Sequence, residues 1–356
     1  MSEKNIDFSH DVSSLQGCSH HEKTKIIVRM PNWIGDAVMA LPVLEDIKAW
    51  NKHAEVFILG HLSICELVKE SPFVDGVIAF SKKEKNVPKI IADLKHHKFD
   101  IGLLTTNSFS SAWWFWKAKI PVRIGYSMHF RRLLLTHPAC RPKNSEQVHE
   151  VEMYKALLNP ITGQSSSLTR PTLYVSAQEK KQAWATLEAY GVSDTHRIIG
   201  INPGAAFGPA KCWPKERFIA LTHRLIEDMR CRVLYFGDQD TKTLVDDIVR
   251  HFPPRVVNLA GKTTLRQFIA LVDTSSAFVT NDSGPMHIAA ALRKPLVAIF
   301  GSTNEVKTGP YKWGSVIHKH VSCSPCYRRV CPIDFRCMMQ ISVDEVYEET
   351  IRCFHE

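Results

Sequence analysis

Four turns in this 356-residue chain concentrate groups that could bind an anion or move a proton. Residues 202–214, NPGAAFGPAKCWP, combine small residues, which let backbone N–H groups come close to an anion, with the positive charge of Lys211 and a helix start after Pro214. That suits a diphosphate, and it also describes a Gly/Pro turn with a solvated lysine. It is neither a Walker loop nor the G-x-G-x-x-G of dinucleotide enzymes. Residues 279–292, VTNDSGPMHIAAAL, set Asn281, Asp282, Ser283 and Gly284 between an apolar strand and an Ala-rich helix. The Ser283 and Gly284 amides would face a phosphate there, and Asp282 would accept hydrogen bonds from sugar hydroxyls. His287, one turn into that helix, is either ligand-facing or structural. In residues 236–241, FGDQDT, Asp238 or Asp240 would either bond ribose hydroxyls or cap the next helix.

The fourth turn lies in VRMPNWIGDAVMALPVL, residues 28–44, where an apolar strand breaks at proline and glycine and Asp36 stands at the start of an amphipathic helix. A carboxylate there accepts hydrogen bonds from first-turn amides and suits the positive end of the helix dipole. Loops at the carboxyl ends of parallel strands are also where open α/β sheets hold ligands. Cap and catalytic group are both open on the residues alone.

The elements that must position these turns follow a strand and helix rhythm. Strands are expected at 25–29, 54–59, 76–80 and 100–106, with helices at 36–50, 61–70 and 87–97. SAWWFWKAKIP, residues 111–121, reads as a sheet-covering helix packed into the core, with a membrane-facing aromatic stripe as the rarer alternative. The rhythm loosens from 128 to 169, which holds a helix near 148–158 and ends in the linker-like TGQSSSLTRP. A second series then begins, with strands at 198–202, 232–236, 256–260, 277–281 and 295–300 and helices at 215–229, 240–251, 264–272 and 285–293. The fold class is therefore α/β, two Rossmann-like doubly wound domains whose strand ends would face across a cleft. The expected divisions are a loose tail at 1–23, an N-terminal domain at 24–165, a C-terminal domain at 166–341 and a closing helix at 342–356 that packs back on the N-terminal domain.

Composition narrows the function classes. A 44% hydrophobic fraction is too rich for a disordered chain, and no apolar run approaches a membrane span. Residues 1–23 are polar and lack the apolar core of a signal peptide, which points to a cytoplasmic protein. The net charge of +9 calls for anionic partners. The basic residues are dispersed and no helix-turn-helix or zinc-finger pattern occurs, so a phosphate-bearing substrate or an anionic membrane face fits better than nucleic acid. In such a compartment the ten cysteines are expected as reduced thiols or metal ligands. Cys323, Cys326, Cys331 and Cys337 form C-x2-C-x4-C-x5-C, with structural zinc, free thiols and disulfides all open.

PNWIGDAVMALPVL, NSFSSAWWFW, PGAAFGPAKCWP and TNDSGPMHIAAAL, in that order, resemble the lipopolysaccharide heptosyltransferases of glycosyltransferase family 9, and GAAFGPAKCWP resembles the heptosyltransferase II branch. The resemblance runs from about Lys25 to the C-terminus. It implies a GT-B architecture and an inverting transfer of L-glycero-D-manno-heptose from ADP-heptose to the first heptose of the inner core, on Kdo-lipid A carrying one heptose. It implies no cofactor for catalysis. Asp36 takes the place of the family's general base, Asp282 that of the heptose-holding carboxylate, and Gly204, Ala205, Lys211, Ser283, Gly284 and His287 line the ADP site. Lys211 and the neighbouring amides would stabilise the leaving group. Some relatives place a Glu where this chain reads Gly237-Asp238-Gln239-Asp240, so the ribose contact is open. Arg123, Arg131 and Arg132 are candidates for the anionic acceptor, and the implied location is the cytoplasmic face of the inner membrane, held peripherally. A sugar-nucleotide epimerase and a noncatalytic anion-binding membrane protein are the rivals from other classes.

Overall fold

The computed structural model describes residues 23–81, 86–163, 167–252 and 254–355. The expected tail up to residue 22 and the expected boundary at 165/166 lie outside them.

Strands β1 (Lys25–Arg29), β2 (Glu55–His61), β3 (Gly76–Phe80), β4 (Ile101–Leu104), β5 (Val122–Tyr126) and β6 (His137–Ala139) form a sheet in the order β3-β2-β1-β4-β5-β6. All its pairings are parallel. Strands β7 (Ile198–Asn202), β8 (Arg232–Tyr235), β9 (Val256–Asn258), β10 (Ala277–Asn281), β11 (Leu296–Phe300) and β12 (Ser315–His318) repeat the plan as β12-β11-β10-β7-β8-β9. In both sheets the first and fourth strands of the series lie side by side, so the order reverses between them. Open α/β sheets hold ligands at that reversal, beyond the strands' carboxyl ends. β4, β7, β10 and β11 are buried on both faces, and so read as continuous apolar runs.

The expected helix 36–50 is two helices, Ile34–Ala40 and Pro42–Trp50, because Pro42 has no N–H to continue the ladder. β5, β6 and β12 went unrecognised in the sequence: they are short and only partly buried, and carry Arg, Gly, Pro and His among few apolar residues.

Two compact units divide the chain at Thr172/Leu173, later than expected. Hydrogen bonds explain the shift. Ser167 Oγ and Thr169 Oγ1 donate to the two oxygens of Asp46, at 2.7 and 2.8 Å, which ties this stretch to the first unit. Leu173 N–H donates to the Ala291 carbonyl of the second. The closing helix, Val343–His355, packs on helix Lys215–Met229 and on β10, β11 and β12 of its own unit. Its inward residues Val346 and Cys353 join the core around Trp213, Phe218 and Ile341, and Ser342 and Glu345 cap its start reciprocally.

Candidate active site

β7 and β10 are neighbours, and each ends in a buried asparagine that holds the glycine-rich loop. Asn202 Nδ2 donates to the Gly204 carbonyl at 3.0 Å. Asn281 Nδ2 donates to the Pro203 carbonyl at 2.6 Å while its Oδ1 accepts from Trp213 N–H at 3.0 Å, so one side chain grips both ends of the loop. The Trp213 indole is buried, donates to the Ile341 carbonyl and meets Phe218 edge-on.

Held this way, Lys211 is not the mobile charge its sequence suggests. Its Nζ lies 2.5 Å from Asp282 Oδ2, and the two side chains keep only 13% and 5% of their surface exposed. Thr303 Oγ1 donates to the same carboxylate oxygen at 2.5 Å. Asp282 Oδ2 is thus committed within the protein, which narrows the expected sugar-hydroxyl role to Oδ1. The Phe207 ring has the Lys211 ammonium 4.9 Å and the Arg329 guanidinium 5.5 Å from its centroid, so two cations and a ring occupy one small volume. Gly208, at φ 149°, passes so close to the Arg329 carbonyl that a Cβ would sit 2.6 Å from it. Ala210 N–H donates to that carbonyl at 3.0 Å.

The FGDQDT and TNDSGP turns meet the same loop. A Cβ on Gly204 would lie 2.5 Å from Thr241 Cγ2, and Asp238 Oδ1 accepts from Thr241 N–H at 2.9 Å and from its hydroxyl at 2.8 Å. Asp238 thus closes the turn onto Thr241, the N-cap of helix Lys242–Val249, and Asp240 beside it is exposed. Ser283 is the N-cap of helix Gly284–Ala291; Pro285 has no N–H and the Met286 N–H donates to the Ser283 carbonyl, so within the first turn Gly284 supplies the amide without an intrahelical acceptor. His287 is buried in that helix, and Ala205 lies half-buried in the loop.

In the first unit, Asp36 stands in the first turn of helix Ile34–Ala40, at the positive end of its dipole, while the N-cap position itself is Trp33. Helix Glu150–Ala156 packs on the Asp36 helix. Its buried Tyr154 hydroxyl is held well above the ordinary range by burial first, with the Asp36 and Glu150 charges adding. Arg29, at the end of β1, was missed in the sequence despite being a cation in an apolar run. It is buried, lies over the Phe80 ring and donates to Asn32 Oδ1 at 2.7 Å, bracing the loop that leads to Asp36. Burial pushes its pKa down to about 10, which leaves it charged at neutral pH.

The three arginines expected at an acceptor separate. Arg131 is wholly buried and donates to the Tyr126 and Thr106 carbonyls and to Asn107 Oδ1, so it fixes the loop after β4 and has no surface for an acceptor. Arg123 is half-buried, with its guanidinium on the Leu134 and Ile120 carbonyls. Arg132 is exposed. In the aromatic helix Phe109–Lys117, Trp114 and Phe115 are core and Trp116 is exposed, so packing accounts for most of the stripe.

Cys323, Cys326, Cys331 and Cys337 form no disulfide and grade from exposed to buried. They lie near one another: burial, then the neighbouring Cys323, Cys331 and Cys326, push the Cys337 thiol up. Among the described residues, no three of these sulfurs converge as ligands of one ion. No helix among the described residues is long and apolar enough to cross a membrane.

Comparison with known proteins matches residues 87–335 to glycosyltransferase family 9 (heptosyltransferase). Lipooligosaccharide heptosyltransferase 2 of Campylobacter jejuni is 28% identical over 91% of this chain and 98% of its own length. Lipopolysaccharide heptosyltransferase 2 of Escherichia coli is 31% identical over 80% of this chain and 85% of its own. The solved structure of E. coli ADP-heptose LPS heptosyltransferase II superposes with a TM-score of 0.81 at 29% identity, covering 93% of this chain and 99% of that one. The two Rossmann-like sheets are those of the GT-B class.

Proposed function

The chain belongs to glycosyltransferase family 9, the heptosyltransferases, and on that premise we propose that it transfers L-glycero-D-manno-heptose from ADP-heptose to the first heptose of the lipopolysaccharide inner core, as heptosyltransferase II does. The observation that carries the reading is the clamped Lys211–Asp282–Thr303 group at the ends of β7 and β10, beside the glycine-rich loop. A cation fixed in a dry setting stabilises a departing diphosphate far more than one free in water, because no reorganisation is needed as charge develops. The Ser283 and Gly284 amides at the start of helix Gly284–Ala291 add donors for the same phosphates.

In this mechanism Asp36 accepts the proton of the attacking acceptor hydroxyl. The new glycosidic bond forms as the bond to the ADP oxygen breaks, with inversion at the anomeric carbon. Lys211 and the loop amides take up the charge that develops on the leaving ADP. The remaining Asp282 oxygen orients the heptose, and Gly204 and Ala205 let the loop approach the diphosphate. Arg132 remains the acceptor-facing arginine. The proposed site of action is the cytoplasmic face of the inner membrane, reached peripherally and favoured by the net charge of +9.

The test is ADP release from ADP-heptose with mono-heptosylated Kdo-lipid A, with heptose-free Kdo-lipid A, and with no acceptor, for wild type and Asp36→Asn. Release that requires the mono-heptosylated acceptor and falls about 10²–10⁴-fold in the variant, with donor binding kept, supports both acceptor and base. Release only on the heptose-free acceptor moves the enzyme to the heptosyltransferase I reaction. A fully active variant removes Asp36 from the chemistry.

A further inference from the structure

Outside the loops above, three ligating side chains converge at the edge of the second sheet. β11 and β12 pair with Phe300 opposite His318, and the chain leaving β11 turns back so that Glu305, at the start of helix Glu305–Thr308, meets the end of β12. His318 Nδ1 lies 2.7 Å from Glu305 Oε2 and His320 Nε2 lies 3.6 Å from Glu305 Oε1, with the two imidazole centroids 4.3 Å apart. Two ligands about 2.05 Å from a tetrahedral ion stand about 3.3 Å apart, close to each of these separations, which run to the two different oxygens of Glu305.

The hydrogen bonds around His318 sharpen the point. Its Nε2 is 2.9 Å from Ser324 Oγ, and the serine proton goes to the Gly301 carbonyl, which can only accept. Ser324 must therefore accept from an Nε2–H. Nδ1 then faces a carboxylate oxygen at 2.7 Å, so a positive centre joins the two, either a ring proton or a metal ion in its place. A metal-bound imidazole has this form, with its second N–H donated to an outer oxygen that fixes the ring.

We propose that Glu305, His318 and His320 bind one divalent transition-metal ion of the zinc type through two imidazole nitrogens and one carboxylate oxygen. Imidazole and carboxylate suit such an ion. The His318 side chain is 3% exposed and the His320 side chain 70%, so one side of the ion faces water. The bound ion would tie the end of β12 to residues 301–305, the segment that also carries Thr303 and its hydrogen bond to Asp282.

The test uses the full chain, stripped with chelator and titrated with Co²⁺ while visible and near-ultraviolet absorption are followed, as wild type, His320→Ala and Glu305→Gln. The expected result is one equivalent with weak visible bands and no intense thiolate charge transfer, whose affinity falls about tenfold or more in each variant. A metal-dependent rise in Tm should disappear with it. His320 is mostly exposed, so His320→Ala decides the question even if Glu305→Gln fails to fold. Binding unchanged in His320→Ala, binding seen only through thiolate bands, or no binding at all would overturn the proposal.

Discussion

The Lys211–Asp282 pair separates stability from catalysis in a way that can be measured. Lys211→Met leaves the Asp282 carboxylate, 5% exposed, with Thr303 as its remaining partner on Oδ2. Removing one member of a buried pair typically destabilises by about 3–5 kcal/mol, because the other charge stays dry and uncompensated. In a unit the size of Leu173–Glu356 that corresponds to a fall in Tm of about 6–20 °C. Lys211→Met/Asp282→Asn removes both charges and keeps similar volumes, so most of the lost stability should return. Catalysis should not return with it. If the ammonium stabilises the leaving diphosphate, the double variant remains about 10²–10³-fold slower in ADP release. Thermal unfolding of wild type, both single variants and the double variant gives the coupling energy, and acceptor-dependent ADP release on the same samples gives the rates. A coupling below about 0.5 kcal/mol would mean that the two charges act independently in the fold. A double variant within a few-fold of wild-type rate would refute the leaving-group role.

Arg131→Met should destabilise by about 3 kcal/mol, since it strips donors from buried carbonyls, whereas Arg132→Met should leave the unfolding midpoint within about 0.5 kcal/mol and raise the acceptor KM; equal midpoints for the two variants would contradict the burial argument. Gly208→Ala forces a Cβ to 2.6 Å from the Arg329 carbonyl and should weaken ADP binding about tenfold, equivalent to about 1.4 kcal/mol of strain; calorimetric titration with unchanged affinity would count against this loop as the diphosphate cradle. The Glu179 carboxyl is held below its ordinary value near 4.5, first by the hydrogen bond from Arg266. Its contribution to stability is therefore complete above that value and is lost as pH falls through the lowered native value. Urea midpoints taken between pH 6 and pH 3 should fall less steeply in Glu179→Gln, and identical slopes would dismiss the pair as a source of acid sensitivity.

Local chemistry accounts for what was legible in the chain. IIGIN and AFVTN read as strands because strands buried on both faces need unbroken apolar, β-branched runs, and both match β7 and β10 to the residue. The glycine-rich turn, the TNDSGP turn and Asp36 could be found because each sits where a strand pattern gives way to a helix pattern. Sequence alone thus determined the α/β class, the doubled plan, the turns that carry the candidate site and the family resemblance.

Tertiary structure decided which partners those side chains take. Lys211 and Asp282 are 71 positions apart, and only the pairing of β7 with β10 turns two separate charges into one buried ion pair. Arg131 and Arg132 are adjacent and chemically identical, yet one is swallowed by the carbonyls of a neighbouring loop and the other faces water. The closing helix carried a clear apolar face but no sign of which surface would cover it. Glu305 and His318 meet because β11 and β12 run side by side. In each case the deciding term is burial against residues distant in the chain, which composition and periodicity do not encode.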